Sequence, residues 1–278
     1  MSSDSAWDQW GARDPYFGVI TLPQFRASAI TPEAIREFFE SGRVQAEYVI
    51  QMCRRLAGTE FSPQRVLDFG CGVGRVLVAF ADMCHEVVGM DVAPTMLAEA
   101  RANCARRGVK NALLVLSDDD LSKATGSFDL VHSSIVLQHI EVSRGRSLFK
   151  NLVDKVGSGG CGAIHVTFGW DAHLDTFGQP PPPPDAPKQM NVRKSPRQVL
   201  RAFFGRSGEG VALASSEPGE AGRDPEMQMN YYNLSELMFI MQRAGLRTVL
   251  GEFTDHGGAL GVFLFFQRPA AQASPAPT

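Results

Sequence analysis

A glycine-rich turn placed directly after a short apolar run is the feature that most constrains how this sequence can fold. Residues 65–69 (RVLDF) lie between Pro63 and Gly70, and a bounded apolar run of this length predicts a buried strand. The turn itself (residues 70–74, GCGVG) lets the backbone approach a ligand closely. The helix predicted over 75–83 offers free N–H groups at its start. The segment therefore predicts a ligand-binding turn in an α/β domain.

Strands and helices alternate along much of the remaining chain. This alternation predicts a parallel, doubly wound α/β sheet, with the carboxyl ends of its strands along one ligand-binding edge. A helix that opens at Asn233 is predicted to precede two closing strands. The strands predicted after the first are 86–91, 112–116, 128–133, 162–168, 247–253 and 260–266, and the helices between them include 94–107, 143–156 and 233–244.

Two acidic residues stand at strand ends near this turn. Asp68 precedes the first glycine by two positions, and Asp91 ends the second predicted strand. A carboxylate at position 68 opposes a pyrophosphate but suits a cation such as an amino group. An acidic residue about twenty positions further on can hold two ribose hydroxyls. Arg75 occupies the place of the third small residue in the dinucleotide fingerprint, which argues against a nicotinamide-dependent oxidoreductase. Either acid alone could simply cap a strand end.

Three segments carry a family resemblance. Residues 66–74 (VLDFGCGVG) resemble the first motif of the class I S-adenosylmethionine-dependent methyltransferases, and residues 87–97 (VVGMDVAPTML) resemble their second motif. Residues 128–140 (FDLVHSSIVLQHI) resemble the fourth-strand motif of the small-molecule branch. The resemblance covers about residues 62–168 and 230–268. It implies a seven-stranded, mostly parallel sheet of order 3-2-1-4-5-7-6 with strand 7 antiparallel.

The resemblance also implies S-adenosyl-L-methionine as cofactor and S-adenosyl-L-homocysteine as product. It places the methionine part beside Asp68 and the glycines, the ribose at Asp91, and the adenine near Val92 and Met96. Of the acidic residues after the third strand, Asp118 is predicted to meet the adenine amino group. Capping of the following short helix by Asp119 or Asp120 is the alternative interpretation. The full predicted cofactor set is Asp68, Gly70, Cys71, Gly72, Gly74, Asp91, Val92, Met96, Asp118, Asp119, Ser133, Ser134 and Tyr16.

His139 is the candidate catalytic residue. It follows the fourth predicted strand, near the expected methyl position, where a histidine can take a proton from a hydroxyl or an amine. A histidine that bonds the backbone and shapes the pocket is the alternative. No metal is required for this chemistry.

Several other side chains are candidates for binding the substrate. The resemblance also implies that the N-terminal segment folds over the cofactor as a lid, in which Tyr16 and Phe17 would exclude water and place an aromatic ring against the sulfonium. Simple packing is the alternative for these two residues and for Tyr231 and Tyr232. His165 alternates into a predicted buried strand, which also suits a core histidine. The predicted substrate set is Phe17, Gln138, His165, Trp170, Tyr231 and Tyr232.

Five regions are predicted along the chain. The first contains an irregular stretch over 1–30, a helix from Thr31 that breaks at Gly42, and a second helix over 44–56. Residues 170–230 break the strand–helix rhythm and contain prolines 180–184 and a short helix signal over 195–205. This segment is expected to cap the pocket or to join a homodimer interface. The regions are 1–60 (N-terminal arm and helices, acting as a lid), 61–169 (cofactor-binding core), 170–230 (insertion), 231–268 (closing helix and strands) and 269–278 (disordered tail).

Composition limits the partners of the chain. Its 278 residues carry 27 basic and 30 acidic side chains, a net charge of −3, which is not the basic footprint of a nucleic-acid binder. Five cysteines without a C-x-x-C pair disfavour a disulfide framework and a zinc site. No apolar stretch is long enough to span a membrane, and we predict a cytoplasmic location.

The sequence therefore predicts methyl transfer to an oxygen or nitrogen of a small-molecule metabolite, in specialised metabolism. Methylation of a protein, a peptide or RNA is one alternative. A non-catalytic scaffold that binds S-adenosylmethionine is another.

Overall fold

Seven strands form one sheet in the computed structural model, which describes residues 3–171, 224–225 and 227–270. Their order is β3-β2-β1-β4-β5-β7-β6. Strands β1 to β5 pair in parallel, and β7 runs antiparallel to both β5 and β6. The predicted fold class and strand order are confirmed. The strands are β1 (Arg65–Phe69), β2 (Glu86–Asp91), β3 (Ala112–Leu116), β4 (Phe128–Ser133), β5 (Val156–Trp170), β6 (Val249–Asp255) and β7 (Ala259–Gln267).

Helices cover both faces of this sheet. Strand β1 shows why: Leu67 and Phe69 face the apolar cluster under α6 and α7, whereas Val66 faces the cluster under α3, α4 and α5. A strand buried on both faces is mostly apolar, as is typical of doubly wound sheets, and the charged residues of β1 are Arg65 at its start and Asp68 near its carboxyl end. The helices are α1 (Ser3–Arg13), α2 (Pro15–Val19), α3 (Pro32–Ala57), α4 (Leu77–Ala81), α5 (Pro94–Arg106), α6 (Val142–Lys155) and α7 (Leu234–Arg243), and 3₁₀ turns occupy Pro23–Phe25 and Leu137–His139.

The N-terminal arm differs from its predicted irregular form. It contains α1, α2 and a 3₁₀ turn. Ala6 and Trp10 are buried one helical turn apart, and Trp10 belongs with Phe25 and Phe38 to a third apolar cluster. Burial of a few aromatic side chains against the core stabilises helices that sequence propensity alone does not indicate.

Helix α3 runs without a break through Gly42, so the two helices predicted around this glycine are one. A Cβ atom at position 42 would overlap the carbonyl oxygen of Arg75. Gly42 therefore allows α3 to lie directly against the chain at the start of α4 rather than ending the helix.

The remaining differences concern element ends and undescribed residues. Strand β5 begins at Val156, because residues 156–161 already pair with β4 and continue beside β7. The predicted helix over 195–205, most of the 170–230 insertion and the tail from residue 271 lie outside the described residues, so the pocket cap and the homodimer contact stay predictions. Within the part that the structure describes, no helix is both long and apolar enough to cross a membrane.

Candidate functional site

A cavity of about 140 Å³ lies at the carboxyl edge of β1, β2 and β4, beneath helix α1. Parallel doubly wound sheets bind ligands at this edge, where the strand order reverses. Many of the predicted residues meet there. Those of the predicted cofactor set that line the cavity are Asp68, Gly70, Cys71, Gly72, Asp91, Val92, Met96, Asp119 and Ser134, and His139 lines it as well.

The glycine turn forms the floor of the cavity. Backbone N–H groups of Gly70 and Cys71 donate to the Met90 carbonyl oxygen at 2.7 and 3.0 Å, which ties the turn to the end of β2. Gly70 and Gly72 have φ values of +74° and +53°, a region that side chains with a Cβ atom adopt at a cost. A Cβ atom at Gly70 would also overlap the side chain of Val136. The turn therefore requires glycine at both positions.

Asp91 is held by backbone donors at the end of β2. Its Oδ2 accepts from the Gly72 N–H at 2.8 Å, and its Oδ1 accepts from the Ala93 N–H at 2.9 Å. Burial raises the pKa of this carboxyl group to about 6, although both backbone hydrogen bonds favour the ionised form. Since a carboxylate has about four acceptor sites, Asp91 retains capacity for further donors on the cavity side.

Asp68 belongs to a buried polar chain that the sequence analysis did not predict. The His132 ring nitrogen Nδ1 lies 2.7 Å from Asp68 Oδ1. Its Nε2 lies 3.3 Å from the amide nitrogen of Gln45, and the Gln45 carbonyl oxygen accepts from Nη2 of Arg75. Because a guanidinium only donates, the Gln45 amide nitrogen faces His132, whose Nε2 must accept. His132 therefore carries its proton on Nδ1 and donates to Asp68.

No local signal identified two members of this chain. His132 alternates into β4 beside β1, a pattern that a core residue shares, and Gln45 lies in the middle of α3, far from the motif. Arg75, at the end of the glycine motif, was visible in the sequence only as a departure from the dinucleotide fingerprint.

His139 is held in one tautomer. Its Nδ1 lies 2.9 Å from the carbonyl oxygen of Gln228, so Nδ1 carries the proton and donates. Its Nε2 lies 3.2 Å from the amide nitrogen of Gln138, whose carbonyl oxygen accepts from Thr167 Oγ1 at 2.7 Å. Burial lowers the pKa of His139 to about 4, so the ring is neutral at neutral pH. The ring is also covered, because Trp7 of α1 packs edge-on against it at 5.1 Å.

Ion pairs and hydrogen bonds hold helix α1 over the cavity. Asp4 pairs with Arg144 at 2.7 Å, and Arg144 also pairs with Asp119 at 2.8 Å. One turn further along α1, the Asp8 carboxylate accepts from the Thr95 backbone N–H at 3.0 Å. These contacts join α1 directly to α6 and α5, and Arg144 links it onward to the loop after β3.

Tyr16 and Phe17 do not line the cavity in this structure, so the roles predicted for them stay predictions. The Tyr16 hydroxyl lies 2.8 Å from a carboxylate oxygen of Glu99 and the ring packs on Phe38. The Phe17 ring faces the Arg26 guanidinium at 3.4 Å. The arm does cover the cavity, but it does so through Trp7, Gly18 and Val19.

Asp118 also differs from its predicted role. Its carboxylate accepts from the Ser122 backbone N–H at 2.8 Å and from the Ser122 hydroxyl at 2.5 Å. It therefore caps the turn after β3, the role considered for Asp119 or Asp120. Asp119 lines the cavity instead. Strand β3 has its predicted bounds, so the difference lies only in which of the neighbouring acidic side chains turns toward the cavity.

Two more members of the predicted cofactor set do not line the cavity. Gly74 has a φ of +86°, a backbone conformation that favours glycine, and a Cβ atom there would meet Ala100 of α5 only at an ordinary contact distance of 3.7 Å. Ser133 is completely buried inside the sheet.

The predicted substrate residues are likewise absent from the lining of the cavity. The side chain of Gln138 contacts the His139 ring but does not itself line the cavity. The His165 Nε2 is paired with the Thr254 hydroxyl at 2.8 Å, between β5 and β6. Trp170 and Tyr231 pack on each other at 6.1 Å. The Tyr232 hydroxyl lies 2.8 Å from the Leu137 carbonyl oxygen, so this tyrosine fixes the 3₁₀ turn that carries His139.

Comparison with known proteins points to one family. Residues 66–160 match a family model described as methyltransferase domain. Aklanonic acid methyltransferase DauC of Streptomyces sp. (strain C5) is 37% identical over 98 residues, 33% of this chain and 44% of that protein. A ubiquinone biosynthesis O-methyltransferase of Xanthomonas euvesicatoria pv. vesicatoria (strain 85-10) is 35% identical over 82 residues, 29% of this chain and 34% of that protein. The chain spans less than half the length of these curated relatives.

A solved structure matches nearly the whole chain. It is the N-methyltransferase NodS from Bradyrhizobium japonicum WM9 in complex with S-adenosyl-L-homocysteine, with a TM-score of 0.56 and 14% sequence identity. The match covers 97% of this chain and 100% of that one. At this identity the likeness concerns the fold, and it extends beyond the segment that the family model matches.

Proposed function

We propose that this chain, which contains a class I S-adenosylmethionine-dependent methyltransferase domain, transfers a methyl group from S-adenosyl-L-methionine to an oxygen or nitrogen of a small metabolite. One observation carries the proposal. The Asp68 and Asp91 carboxylates and the Gly70–Gly72 turn line a single cavity at the carboxyl edge of the sheet. The names of the two curated relatives, which refer to aklanonic acid and to ubiquinone biosynthesis, support a small-molecule acceptor.

The residues around the cavity fit the chemical groups of this cofactor. Asp91 offers carboxylate acceptors for two neighbouring ribose hydroxyls. The Gly70–Gly72 turn leaves room for close approach of a ligand chain, and Asp68 offers a negative charge for an ammonium group. Val92 and Met96 provide an apolar wall for a flat base.

We infer from the size of the cavity that the arm opens when a ligand enters. Its volume of about 140 Å³ is below the range of about 300–1,000 Å³ typical of ligand pockets. Trp7 and Val19 of the arm supply part of the lining. Entry of the cofactor therefore requires α1 to move away, and its return covers the bound ligand as a lid.

His139 is the proposed proton acceptor. When bound, the cofactor supplies a methyl group on a sulfonium, an electrophile that needs no metal. The neutral imidazole can accept the acceptor's proton at Nε2, while Nδ1–H keeps its hydrogen bond to the Gln228 carbonyl oxygen. The Gln138 amide now donates to Nε2, so the hydroxyl or amine of the acceptor must displace this donor. In this proposal Gln138 and Thr167 position the ring.

Calorimetric titration tests the cofactor assignment. We expect the wild-type chain to bind S-adenosylmethionine and S-adenosylhomocysteine with micromolar Kd, about −8 kcal/mol, and Asp91→Ala to lose this binding. Asp118→Ala is the matched control, since Asp118 faces Ser122, and its affinity should equal that of wild type. Binding of NAD in place of the sulfur cofactors would overturn the proposal.

A screen of acceptors tests the activity. Release of S-adenosylhomocysteine is measured with phenols, carboxylic acids and amines of low molecular mass, and with RNA and peptides as the competing substrate classes. Turnover of a small acceptor that disappears in Asp91→Ala supports the proposal. Cofactor binding with turnover of RNA or peptides only would contradict the acceptor class, and binding without turnover of any of them would favour a scaffold.

A further inference from the structure

Strand β6 forms one edge of the seven-stranded sheet. Among the described residues it pairs only with β7, in an unbroken antiparallel register from Val249 to Asp255. Proteins commonly protect an edge strand from further pairing with lysine, proline or a bulge. The sequence of β6 (VLGEFTD) contains neither lysine nor proline, and its register with β7 shows no bulge. The open side of β6 can therefore accept another strand.

The pairing with β7 shows which residues of β6 face the open side. The His256 N–H donates to the Ala259 carbonyl oxygen at 3.0 Å, at the end of the same ladder. Hydrogen-bonded and non-hydrogen-bonded pairs alternate in an antiparallel ladder, so residues 250, 252 and 254 direct their N–H and C=O groups toward β7. Residues 249, 251, 253 and 255 direct theirs outward, as a row of backbone donors and acceptors.

A large apolar side chain is exposed on this edge. Phe253 is 80% exposed, and its ring meets the Phe168 ring at a centroid distance of 5.9 Å. Val249, four residues earlier and on the same face of β6, packs against the apolar cluster under α6 and α7. An open strand edge that exposes an aromatic side chain is a surface for association with another strand.

Two copies of β6 match each other in charge when they pair antiparallel about a two-fold axis at Gly251. Arg247, two residues before β6, then lies opposite Asp255 of the second copy, and the symmetry forms this pair twice. Both side chains are exposed. Asp255 Oδ1 accepts from the Gly258 N–H at 2.7 Å, which leaves Oδ2 for the arginine. Opposite charges directly across a ladder stabilise it.

The same register covers the exposed ring and separates like charges. Phe253 lies opposite Val249 of the second copy. Glu252, which accepts a hydrogen bond from the Tyr48 hydroxyl, lies opposite Leu250 of the second copy. An axis at residue 252 would instead oppose two Glu252 carboxylates, which destabilises a ladder. Charge therefore selects a second copy of this chain as the partner and fixes the register.

We propose that this chain forms a homodimer in which two β6 edges pair antiparallel about Gly251. The two seven-stranded sheets then become one continuous sheet, and the outward row of backbone groups is paired. No residue of β6 lines the cavity, so each copy keeps its own complete cavity. The contact is independent of the methyl-transfer reaction.

Exchange of the two charges between copies tests the register. We expect a micromolar Kd for wild type in sedimentation equilibrium, with twice the chain mass at about 100 μM. Arg247→Asp and Asp255→Lys should each weaken the dimer by about 10- to 100-fold, because each variant puts like charges opposite each other twice. An equimolar mixture of the two variants should regain the affinity of wild type, since both cross-strand pairs then join opposite charges. Lys110→Asp, the same kind of reversal at an exposed position before β3, is the matched control and should stay dimeric.

Hydrogen exchange at the edge gives a second readout that a loss of folding would not imitate. Peptides covering 249–255 should exchange more slowly as the concentration of wild-type chain rises through the Kd, but not in Arg247→Asp. If Asp255→Lys disturbs the turn at Gly258, this comparison of wild type with Arg247→Asp decides.

Two results would overturn the proposal. A wild-type chain that stays monomeric at about 100 μM has no such dimer. A dimer that Arg247→Asp leaves as strong as wild type forms through another surface.

Discussion

We expect the affinity for the cofactor to depend on pH through the Asp91 carboxyl group. Burial raises its pKa to about 6, so the folded chain keeps a proton there that the unfolded chain has already lost at lower pH. This group therefore contributes stability at low pH, which is lost as pH rises through about 6. A ribose diol donates to the ionised form, so cofactor binding has the opposite dependence.

We predict that the affinity for S-adenosylhomocysteine falls by up to about tenfold per pH unit below pH 6. The measurement is Kd by calorimetry between pH 5 and 7.5, with Asp118→Asn as a control that should keep the slope. His139, whose pKa lies at about 4, does not titrate in this range. A flat profile would show that the ligand does not need the ionised Asp91.

We predict that His139→Gln lowers kcat without weakening the binding of the cofactor. Loss of a general base costs about 10²- to 10⁴-fold in rate, whereas the Kd of S-adenosylhomocysteine should stay within about twofold of wild type. His165→Gln is the matched control, because that imidazole is paired with Thr254 away from the cavity. Equal kcat for wild type and His139→Gln would leave His139 a role in shaping the pocket only.

Sequence patterns predict the cavity residues whose positions are fixed by a strand end or a tight turn. They do not predict cavity residues whose positions depend on tertiary packing. Asp68, Gly70, Gly72 and Asp91 reach the cavity because strand ends and a tight turn fix them. The Asp118 carboxylate faces Ser122, whereas Asp119 lines the cavity, a distinction between neighbouring residues that a strand pattern does not resolve. The chain from Gln45 to Arg75 could not be predicted, since it joins α3 to the motif across tertiary contacts.

At the scale of elements, the crossing of α3 over the start of α4 depends on Gly42. Alanine is the better helix former by about 1 kcal/mol, yet a Cβ atom here would overlap the Arg75 carbonyl oxygen. We predict that Gly42→Ala lowers the free energy of unfolding by about 1–3 kcal/mol, the usual cost of overpacking. Gln51→Ala, on the exposed face of the same helix, should be nearly neutral in urea unfolding. A Gly42→Ala variant as stable as wild type would mean that α3 shifts at little cost.

The ion pairs of α1 should control access to the cavity. Asp4→Asn removes the pairing with Arg144 while leaving the size of the side chain unchanged. Because this pair is partly exposed, we expect a modest effect of about 0.2–1 kcal/mol, seen as a faster association of S-adenosylhomocysteine in stopped-flow fluorescence. Asp154→Asn removes an exposed pair with Lys150, on α6 but outside the lining of the cavity, and should leave the rate unchanged. An unchanged association rate in Asp4→Asn would place the entry route elsewhere.

Strands were easier to predict than the helices of the arm for a physical reason. β1, β2 and β4 are mostly buried apolar runs, so their local pattern and environment agree. α1 has mostly polar residues and buries only Ala6 and Trp10. Its stability comes from contacts with α5 and the cavity rim, such as those between Asp8 and Thr95, which no local window contains.

At the scale of the whole molecule, the cavity lies where three parts of the chain meet: α1, the Gly70–Gly72 turn, and the segment after β4 that carries His139. A ligand bound there contacts all three at once and contacts α1 only in its closed position. Binding should therefore oppose local opening of α1, by a factor that approaches about 100 when the ligand is at 100 times its Kd. Strand β6, at the far edge of the sheet, gains no contact.

Hydrogen exchange followed by mass spectrometry measures this difference. With S-adenosylhomocysteine present, we predict slower exchange in peptides covering residues 3–13 and 134–140, and unchanged exchange in peptides covering 249–255. NAD at the same concentration is the control ligand and should protect none of them. Protection confined to 249–255 would place the ligand at the opposite edge of the sheet. Slower exchange at residues 134–140 with unchanged exchange at residues 3–13 would show that the arm stays open when the cofactor is bound. Another part of the chain would then have to exclude water from the methyl group.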